Sequence, residues 1–339
     1  MTTLPKYSQF KQIFRAYLDS IIGKTLHITP PFRLWIELTN TCNLRCVMCP
    51  TGQGMMKGHG FMSFELFKTI IEQSKGYLYN INLHHRGESL LHKDIEKFII
   101  YAKKNGIYTN LHTNGSLLTE EKSKMILRSG LDLLSFSIDG FDSDTYRNIR
   151  GKGDFNKTIT NIKTFLELKM ANKSSKPYTI IEFLNINGFK KRWESEKKRF
   201  LEIFNGLPLD KFTIKEPHNF TGDIQVSEGC NKSIHKSKCL LLWYSMTILW
   251  DGRVLPCPQD FLARYIIGDL KKESLIDIWN GKKLQYLRKK MVANDLKDFS
   301  HCISCDRLYR KTFLGIPIEG VKRFFHENLL RDNLHEQQP

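Results

Sequence analysis

Three cysteines, Cys42, Cys46 and Cys49, lie within the run Cys42-Asn43-Leu44-Arg45-Cys46-Val47-Met48-Cys49-Pro50. Thiolates are soft ligands for iron, and a compact loop of three fills three iron sites of a four-iron cluster. The fourth iron is then open to a small molecule. Zinc is the competing chemistry, but it normally takes four ligands in paired halves, and no fourth ligand stands beside this loop. A second set, Cys239, Cys257, Cys302 and Cys305, follows far along the chain. Four thiolates saturate one four-iron cluster or hold a structural zinc ion. Cys230 belongs to neither set; the commonest fate of such a thiol is burial as a small apolar group.

These residues need a scaffold, and the chain has the length for one. Its 339 residues suit a large α/β domain with a smaller unit beside it. Hydrophobic content of 41% and charged content of 26% are those of an ordinary globular protein. No apolar run approaches the ~20 residues of a membrane span, and the first twenty residues have no apolar core of a signal peptide. Clustered cysteines without a secretion signal point to the cytoplasm, where they bind metal rather than pair. The net charge of +17 favours acidic partners, an anionic substrate among them. The lysines are spread along helices without interleaved aromatics, so no specific nucleic-acid platform is expected.

Phe10, Ile13, Phe14, Tyr17, Leu18, Ile21 and Ile22 recur at helical spacing. Such a helix lies on a membrane or packs over one end of a barrel, and packing is the expectation taken here. Pro30-Pro31 then ends the lead-in. From Phe32 to about His218, strand-like runs alternate with helical periods. The strands are predicted at Leu34–Leu38, Ile81–His84, Ile107–His112, Leu133–Ile138, Tyr178–Leu184 and Lys211–Ile214. Helices are predicted at Ser63–Ser74, His92–Lys104, Thr119–Ser129, Asp144–Met170 (broken near Gly151 and Gly153) and Lys190–Phe204. Strand–helix alternation implies a parallel sheet of βαβ units, with function at the C-terminal strand ends. The unusual residues fall there: the cysteine loop, Gly87-Glu88, Asn114-Gly115, Ser137-Ile138-Asp139-Gly140 and, further on, Arg150.

The stretch from Arg33 to Arg310 resembles the radical S-adenosylmethionine (radical SAM) superfamily. The resemblance rests on the three-cysteine loop ending in Met-Cys-Pro, then Gly-Glu, Thr-Asn-Gly and Ser-x-Asp-Gly at successive strand ends. It implies a partial (β/α)6 barrel and a 4Fe-4S cluster on Cys42, Cys46 and Cys49 that binds S-adenosylmethionine at its open iron. Glu88, preceded by Gly87, matches the family's acceptor of the SAM ammonium group, although Arg86 and Ser89 depart from the usual Gly-Gly-Glu-Pro. Asn114, Ser137, Asp139, Arg150 and Asn185 are the further SAM-contact candidates. A guanidinium such as that of Arg150 suits a carboxylate.

Beyond His218 the composition shifts to Gly, Asn and Ser, and Asp251-Gly252 between short apolar runs signals a hairpin. This region resembles the auxiliary-cluster module called SPASM, in its shorter twitch form, because Cys239, Cys257, Cys302 and Cys305 suffice for one auxiliary 4Fe-4S cluster. The expected organisation is a lead-in over 1–32, a barrel over 33–218, the cluster module over 219–310 and a C-terminal helix and tail over 311–339. The resemblance implies abstraction of a substrate hydrogen atom. A two-electron oxidation of a sugar-like or peptide substrate is the first expectation, and epimerisation or peptide modification the alternative. Asp260, three residues after Cys257, is the candidate general base, and Cys230 the candidate hydrogen donor of an epimerase. A flavodoxin or ferredoxin is the electron donor such chemistry needs. From a different class, a non-catalytic iron-sulfur or zinc protein would need none of the SAM-contact motifs.

Overall fold

The computed structural model describes residues 7–26, 28–186, 193–224, 237–309, 312–313 and 316–317. Cys230 and the predicted helix over Val321–Leu330 lie outside them. Helix α1 (Tyr7–Ile21) leads through the prolines to β1 (Arg33–Ile36), α2 (Phe64–Gln73) and β2 (Asn80–Asn82). The alternation continues with α3 (Ile95–Lys104), β3 (Tyr108–Thr113), α4 (Glu120–Ser129) and β4 (Leu133–Ser137). Then come α5 (Ser143–Arg150), α6 (Phe155–Ala171), β5 (Tyr178–Leu184), α7 (Trp193–Glu202) and β6 (Lys211–Lys215). Antiparallel β7 (Ser245–Ile248), β8 (Arg253–Leu255) and β9 (Gly268–Asp269) follow, then α8 (Leu275–Trp279), α9 (Lys282–Val292) and α10 (Ser300–Ile303).

The chain divides into two compact units, one of Ile36–Lys68 with Ile81–Pro217, the other of Met1–Trp35, Thr69–Asn80 and His218–Pro339. In the first unit the strand order is β6-β5-β4-β3-β2, and the sheet does not close. Strands β3 to β6 are parallel, with His112 opposite Ser135, Ser137 opposite Glu182 and Leu184 opposite Lys215. This is the α/β architecture of a partial barrel. Local chemistry sets the helix limits. Thr119 caps α4 through its hydroxyl to Lys122 N at 3.3 Å, and Gly130 ends it in the left-handed region at φ 77°. The predicted Asp144–Met170 helix divides at Gly151, and Asp154 starts α6 by accepting from Lys157 N at 3.0 Å. Helix α3 begins at Ile95 rather than His92, because Ser89–Leu91 form a short 3-10 turn and the His92 ring reaches Met62 O at 2.9 Å.

In the second unit, Ile13 and Ala16 of α1 pack onto Phe32, Tyr79, Leu241 and Tyr244, with Cys239 and Cys257 at the edge of this cluster. Phe32 stacks between Tyr79 and Tyr244 at centroid distances of 5.0 and 5.4 Å. The predicted hairpin forms between β7 and β8, with Gly252 at φ 95°. Buried Arg288 donates to Leu242 O and Trp279 O, both at 2.9 Å, and the Asp19 carboxylate adds to the support of its charge.

Candidate active site and second cysteine site

Two strand-end loops and the C-terminal end of α5 close on the cysteine loop. Gly87, after β2, lies so near Thr39 and Thr41 that a Cβ would sit 2.4 and 2.5 Å from their carbonyl oxygens. Gly151, at φ 61°, would place a Cβ 2.4 Å from Arg45 O. Asn114, after β3, donates to Asn43 Oδ1 at 3.0 Å, and Asn43 donates in turn to Ser116 Oγ at 2.8 Å. Val47 N reaches Ile149 O at 2.9 Å. The candidate residues Gly87 and Asn114 are thereby brought to the thiol loop by close backbone approach and amide pairing.

Glu88 is buried, and its carboxylate is well occupied. Oε1 accepts from Leu90 N at 3.0 Å and Thr113 Oγ1 at 2.9 Å, and Oε2 accepts from Asn114 N at 2.8 Å. A carboxylate offers about four lone-pair sites, so one position remains for a further donor. Burial raises the Glu88 carboxyl above its ordinary range, with the Asn114 and Leu90 amides opposing the shift. An added cation at that position would favour the charged form.

Asp139 and Arg150 form a buried ion pair, with Asp139 in the left-handed region at φ 61°. Asp139 Oδ1 accepts from Leu184 N at 2.6 Å. Arg150 Nε donates to Ile138 O at 3.2 Å, and Nη1 lies 3.7 Å from Cys46 Sγ. The Arg150 guanidinium is thus committed within the site rather than solvated. Ser137 ends β4 half-buried. Asn185 follows β5 and donates to Glu216 Oε1 at 2.9 Å.

Burial pushes the Cys42 thiol up to about 12, with Glu88, Cys46 and Cys49 adding to the shift. It raises Cys46 as well, against the pull of Arg150. These thiols lie close enough to repel as thiolates, in a pocket where Arg150 supplies one positive charge and a bound metal centre would supply the rest. That donor set fits a cluster held on three corners.

Polar residues that the motif search passed over line the inner face of the sheet. Phe136 packs on Phe165 of α6, and Phe183 and Phe212 pack on Phe200 of α7. Alternate residues therefore point the other way. On β3 and the neighbouring strands these are Asn82, His84, Asn110, His112, Ser135, Glu182 and Lys215. His84 and His112 stack at 4.0 Å between ring centroids, His112 Nδ1 lies 3.4 Å from Glu182 Oε2, and Glu182 Oε1 pairs with Lys215. Asn110 donates to Asn82 Oδ1 at 3.1 Å. Asn82 Nδ2, His84 Nδ1 and Ser135 Oγ are buried with no partner among the described residues. Burial and the adjacent His112 push His84 well below the usual imidazole range. The signal was present in the sequence as period-two polarity, Asn80-Ile81-Asn82-Leu83-His84 and Asn110-Leu111-His112.

Arg86, where the family pattern has glycine, reaches back to Glu37 with Nη2 at 2.7 Å from Oε1 and Nε on Oε2. His85 Nδ1 lies 3.3 Å from the same carboxylate. Burial works against the Glu37 charge, but Arg86 and His85 hold the carboxyl down to about 2. A depressed acid stabilises the fold above its unfolded pKa and loses that contribution as pH falls through the folded one. Relative to the ordinary 4.5, the shift corresponds to about 3 kcal/mol, lost between pH ~5 and ~2. Urea unfolding followed across that range is expected to show this decline, and Glu37→Gln is expected to remove its share of the slope.

The second cysteine site is built in the other unit. Cys239 precedes a 3-10 turn, Cys257 follows β8, Cys302 lies in α10 and Cys305 just beyond. Burial pushes Cys257 up to about 12 and raises Cys302 and Cys305, with the neighbouring Cys239 adding to all three shifts. Cys305 is buried and the other three are half-buried, all within range of one another's charge. Among the described residues, no three His, Cys, Asp or Glu side chains converge as a single metal ion requires. Asp260 is fully buried, its Oδ1 accepting from Arg264 N at 2.9 Å and its Oδ2 from Tyr265 N at 2.8 Å. Both oxygens of this candidate base are therefore engaged with backbone amides.

Both sites have counterparts in known proteins. Residues 36–191 match the model of the Radical SAM superfamily, and residues 239–306 match that of SPASM, an iron-sulfur cluster-binding domain. The chain is a radical SAM enzyme with a SPASM iron-sulfur domain. Its cofactors are accordingly S-adenosylmethionine, the 4Fe-4S cluster that binds it and auxiliary iron-sulfur. It is 25% identical over 297 residues, 75% of this chain and 82% of the relative, to the tungsten-containing aldehyde ferredoxin oxidoreductase cofactor-modifying protein of Pyrococcus furiosus. It is 30% identical to the GTP 3′,8-cyclase of Clostridium botulinum over 140 residues, which span 40% of this chain and 44% of that enzyme. The structure of BtrN in complex with AdoMet and 2-DOIA shares the fold, with a TM-score of 0.55, 19% identity and coverage of 82% of this chain and 94% of that one. No helix among the described residues is long and apolar enough to cross a membrane.

Proposed function

We propose that the enzyme oxidises a small, polyhydroxylated, sugar-like substrate held on the inner face of the barrel sheet. The polar row from His84 through His112 and Glu182 to Lys215 carries this reading. Hydroxyl-rich ligands are recognised by paired carboxylate, amide and imidazole groups, and buried polar atoms left without partners call for a ligand or water. When bound, the reduced cluster and S-adenosylmethionine supply a 5′-deoxyadenosyl radical that abstracts an unactivated hydrogen atom.

The chain's own residues do the rest. Cys42, Cys46 and Cys49 would hold the cluster, and the remaining acceptor position of Glu88 suits the SAM ammonium group. Asn114 and Gly87 keep that carboxylate and the thiol loop in register. Ser137, Asp139, Arg150 and Asn185 shape the neighbouring strand ends, and the Asp139–Arg150 pair holds Cys46. Cys239, Cys257, Cys302 and Cys305 would hold the auxiliary cluster, whose presence favours oxidation over epimerisation. His112 is the preferred proton acceptor, because Glu182 orients its ring and stabilises the charged form. Asp260, with its oxygens already on backbone amides, anchors the loop after Cys257.

The test is release of 5′-deoxyadenosine from S-adenosylmethionine by the reduced, anaerobically reconstituted protein. Panels of monosaccharides and aminocyclitols and of peptides, and the cofactor of a tungsten-containing aldehyde ferredoxin oxidoreductase, are added separately. Stimulation by the first panel, lost in Glu182→Gln while the basal rate stays, is the expected result. Stimulation by peptides alone would install the peptide-modifying alternative. Stimulation by that cofactor alone would favour a cofactor-modifying role like that of the Pyrococcus relative.

A further inference from the structure

The outer face of α1 takes no part in either site. Phe10, Phe14, Leu18 and Ile22, each four residues from the last, and then Leu26, are 46, 46, 42, 70 and 45% exposed. Along a helix, four-residue steps align side chains on one slowly winding ridge. The opposite face is the one that packs, with Ile13 and Ala16 fully buried in the cluster around Phe32. Helix α1 is therefore apolar on two sides, more than its packing requires. Its exposed charge has one sign. Lys11 and Arg15 lie exposed beside the ridge. Asp19, the only carboxylate of the helix, is buried and accepts from Thr29 N and Oγ1, both at 2.8 Å. Lys24, at the helix end, is taken up by Asp19, its Nζ 3.8 Å from Oδ1, while α9 ends against Gly23, where a Cβ would lie 2.9 Å from Val292, with exposed Lys289 in its last turn.

We propose that α1 seats the enzyme on an anionic lipid surface. The Phe10–Phe14–Leu18–Ile22 ridge enters the boundary between headgroups and acyl chains, and Lys11, Arg15 and Lys289 meet lipid phosphates. Lysine and arginine beside a row of Phe, Leu and Ile are the composition of an interfacial helix, and each basic residue near an anionic bilayer adds to binding. At 15 residues, α1 is too short to span. A second copy of this chain would also cover an apolar ridge, but a partner of net charge +17 does not complement basic flanks.

Co-sedimentation of the full-length protein with vesicles tests this, using phosphatidylcholine alone and phosphatidylcholine mixed with phosphatidylglycerol. Binding is expected to the mixed vesicles only, and to weaken as salt is added. The double variant Phe14→Glu with Leu18→Glu is expected to lower binding at least about tenfold, with melting temperature and iron content unchanged. Lys11→Glu with Arg15→Glu is expected to weaken binding while keeping the fold. Absence of binding to mixed vesicles, or binding indifferent to the Phe14 and Leu18 changes, overturns the proposal. So does a fall in melting temperature, or loss of a dimer in light scattering, on introducing the two glutamates: the ridge would then be covered by protein. None of these outcomes depends on the substrate or on S-adenosylmethionine cleavage.

Discussion

Changing Cys42, Cys46 and Cys49 together to alanine is expected to lower the iron of the anaerobically reconstituted protein from about eight to about four per chain. It is also expected to end 5′-deoxyadenosine formation. The three thiols belong to one loop of one unit, whereas Cys239, Cys257, Cys302 and Cys305 are presented by β8, α10 and their flanking turns in the other. Losing the first set removes every thiol near Glu88 and leaves the second untouched, so the losses should separate cleanly. Iron and acid-labile sulfide measured on both proteins check this. A parent protein with about four irons falling to none would mean that the second site carries no cluster. The oxidation reading would then lose its auxiliary redox centre, and epimerisation or transfer chemistry would lead.

Replacing Arg150 by methionine is expected to cost about 3–5 kcal/mol of stability, as breaking one side of a buried pair does. The guanidinium touches Asp139, Ile138 O and the Cys46 sulfur, and both charged residues are buried. Without it Asp139, fixed by Leu184 N, keeps a charge with nothing to balance it. Burial already raises the Asp139 carboxyl, and losing the opposing Arg150 raises it further. The deficit should therefore be largest near neutral pH and shrink as acid protonates the group. Adding Asp139→Asn should restore much of the loss, since both charges are then gone. Arg150→Lys should restore less, because an ammonium cannot reproduce the forked contact. Urea unfolding of the variants at neutral and acid pH measures all of this. Equal losses at both pH values would show that Arg150 contributes packing rather than charge.

Much of the scaffold was legible from periodicity. β5 runs over the same residues that alternation predicts, and the helix after β4 breaks at the glycine expected to break it. The strands before the thiol loop and before Gly87 proved shorter than their apolar runs, because Glu37 and His84 turn into polar networks there. Helix α1 packs one face within the second unit, on Phe32, Tyr79, Leu241 and Tyr244, rather than over a barrel end, and presents a second apolar face that the pattern alone did not separate from the first.

The division has a physical basis. Cluster ligands within a few residues of each other, capped helices and two-residue or four-residue repeats are properties of a short piece of chain, and they mark the cysteine loop and the strand ends from the sequence alone. Arg86 meets Glu37 across 49 residues and Arg150 meets Cys46 across 104. No local pattern encodes such partners; they are selected when the strands assemble and leave each buried charge one place to find its opposite. The same assembly turns His84, His112, Glu182 and Lys215, unremarkable where they stand in the chain, into a continuous polar row. The sequence by itself determined the cysteine loop and the parallel sheet that carries it. Only the tertiary structure decided which charges balance one another and what the inner face of that sheet offers a substrate.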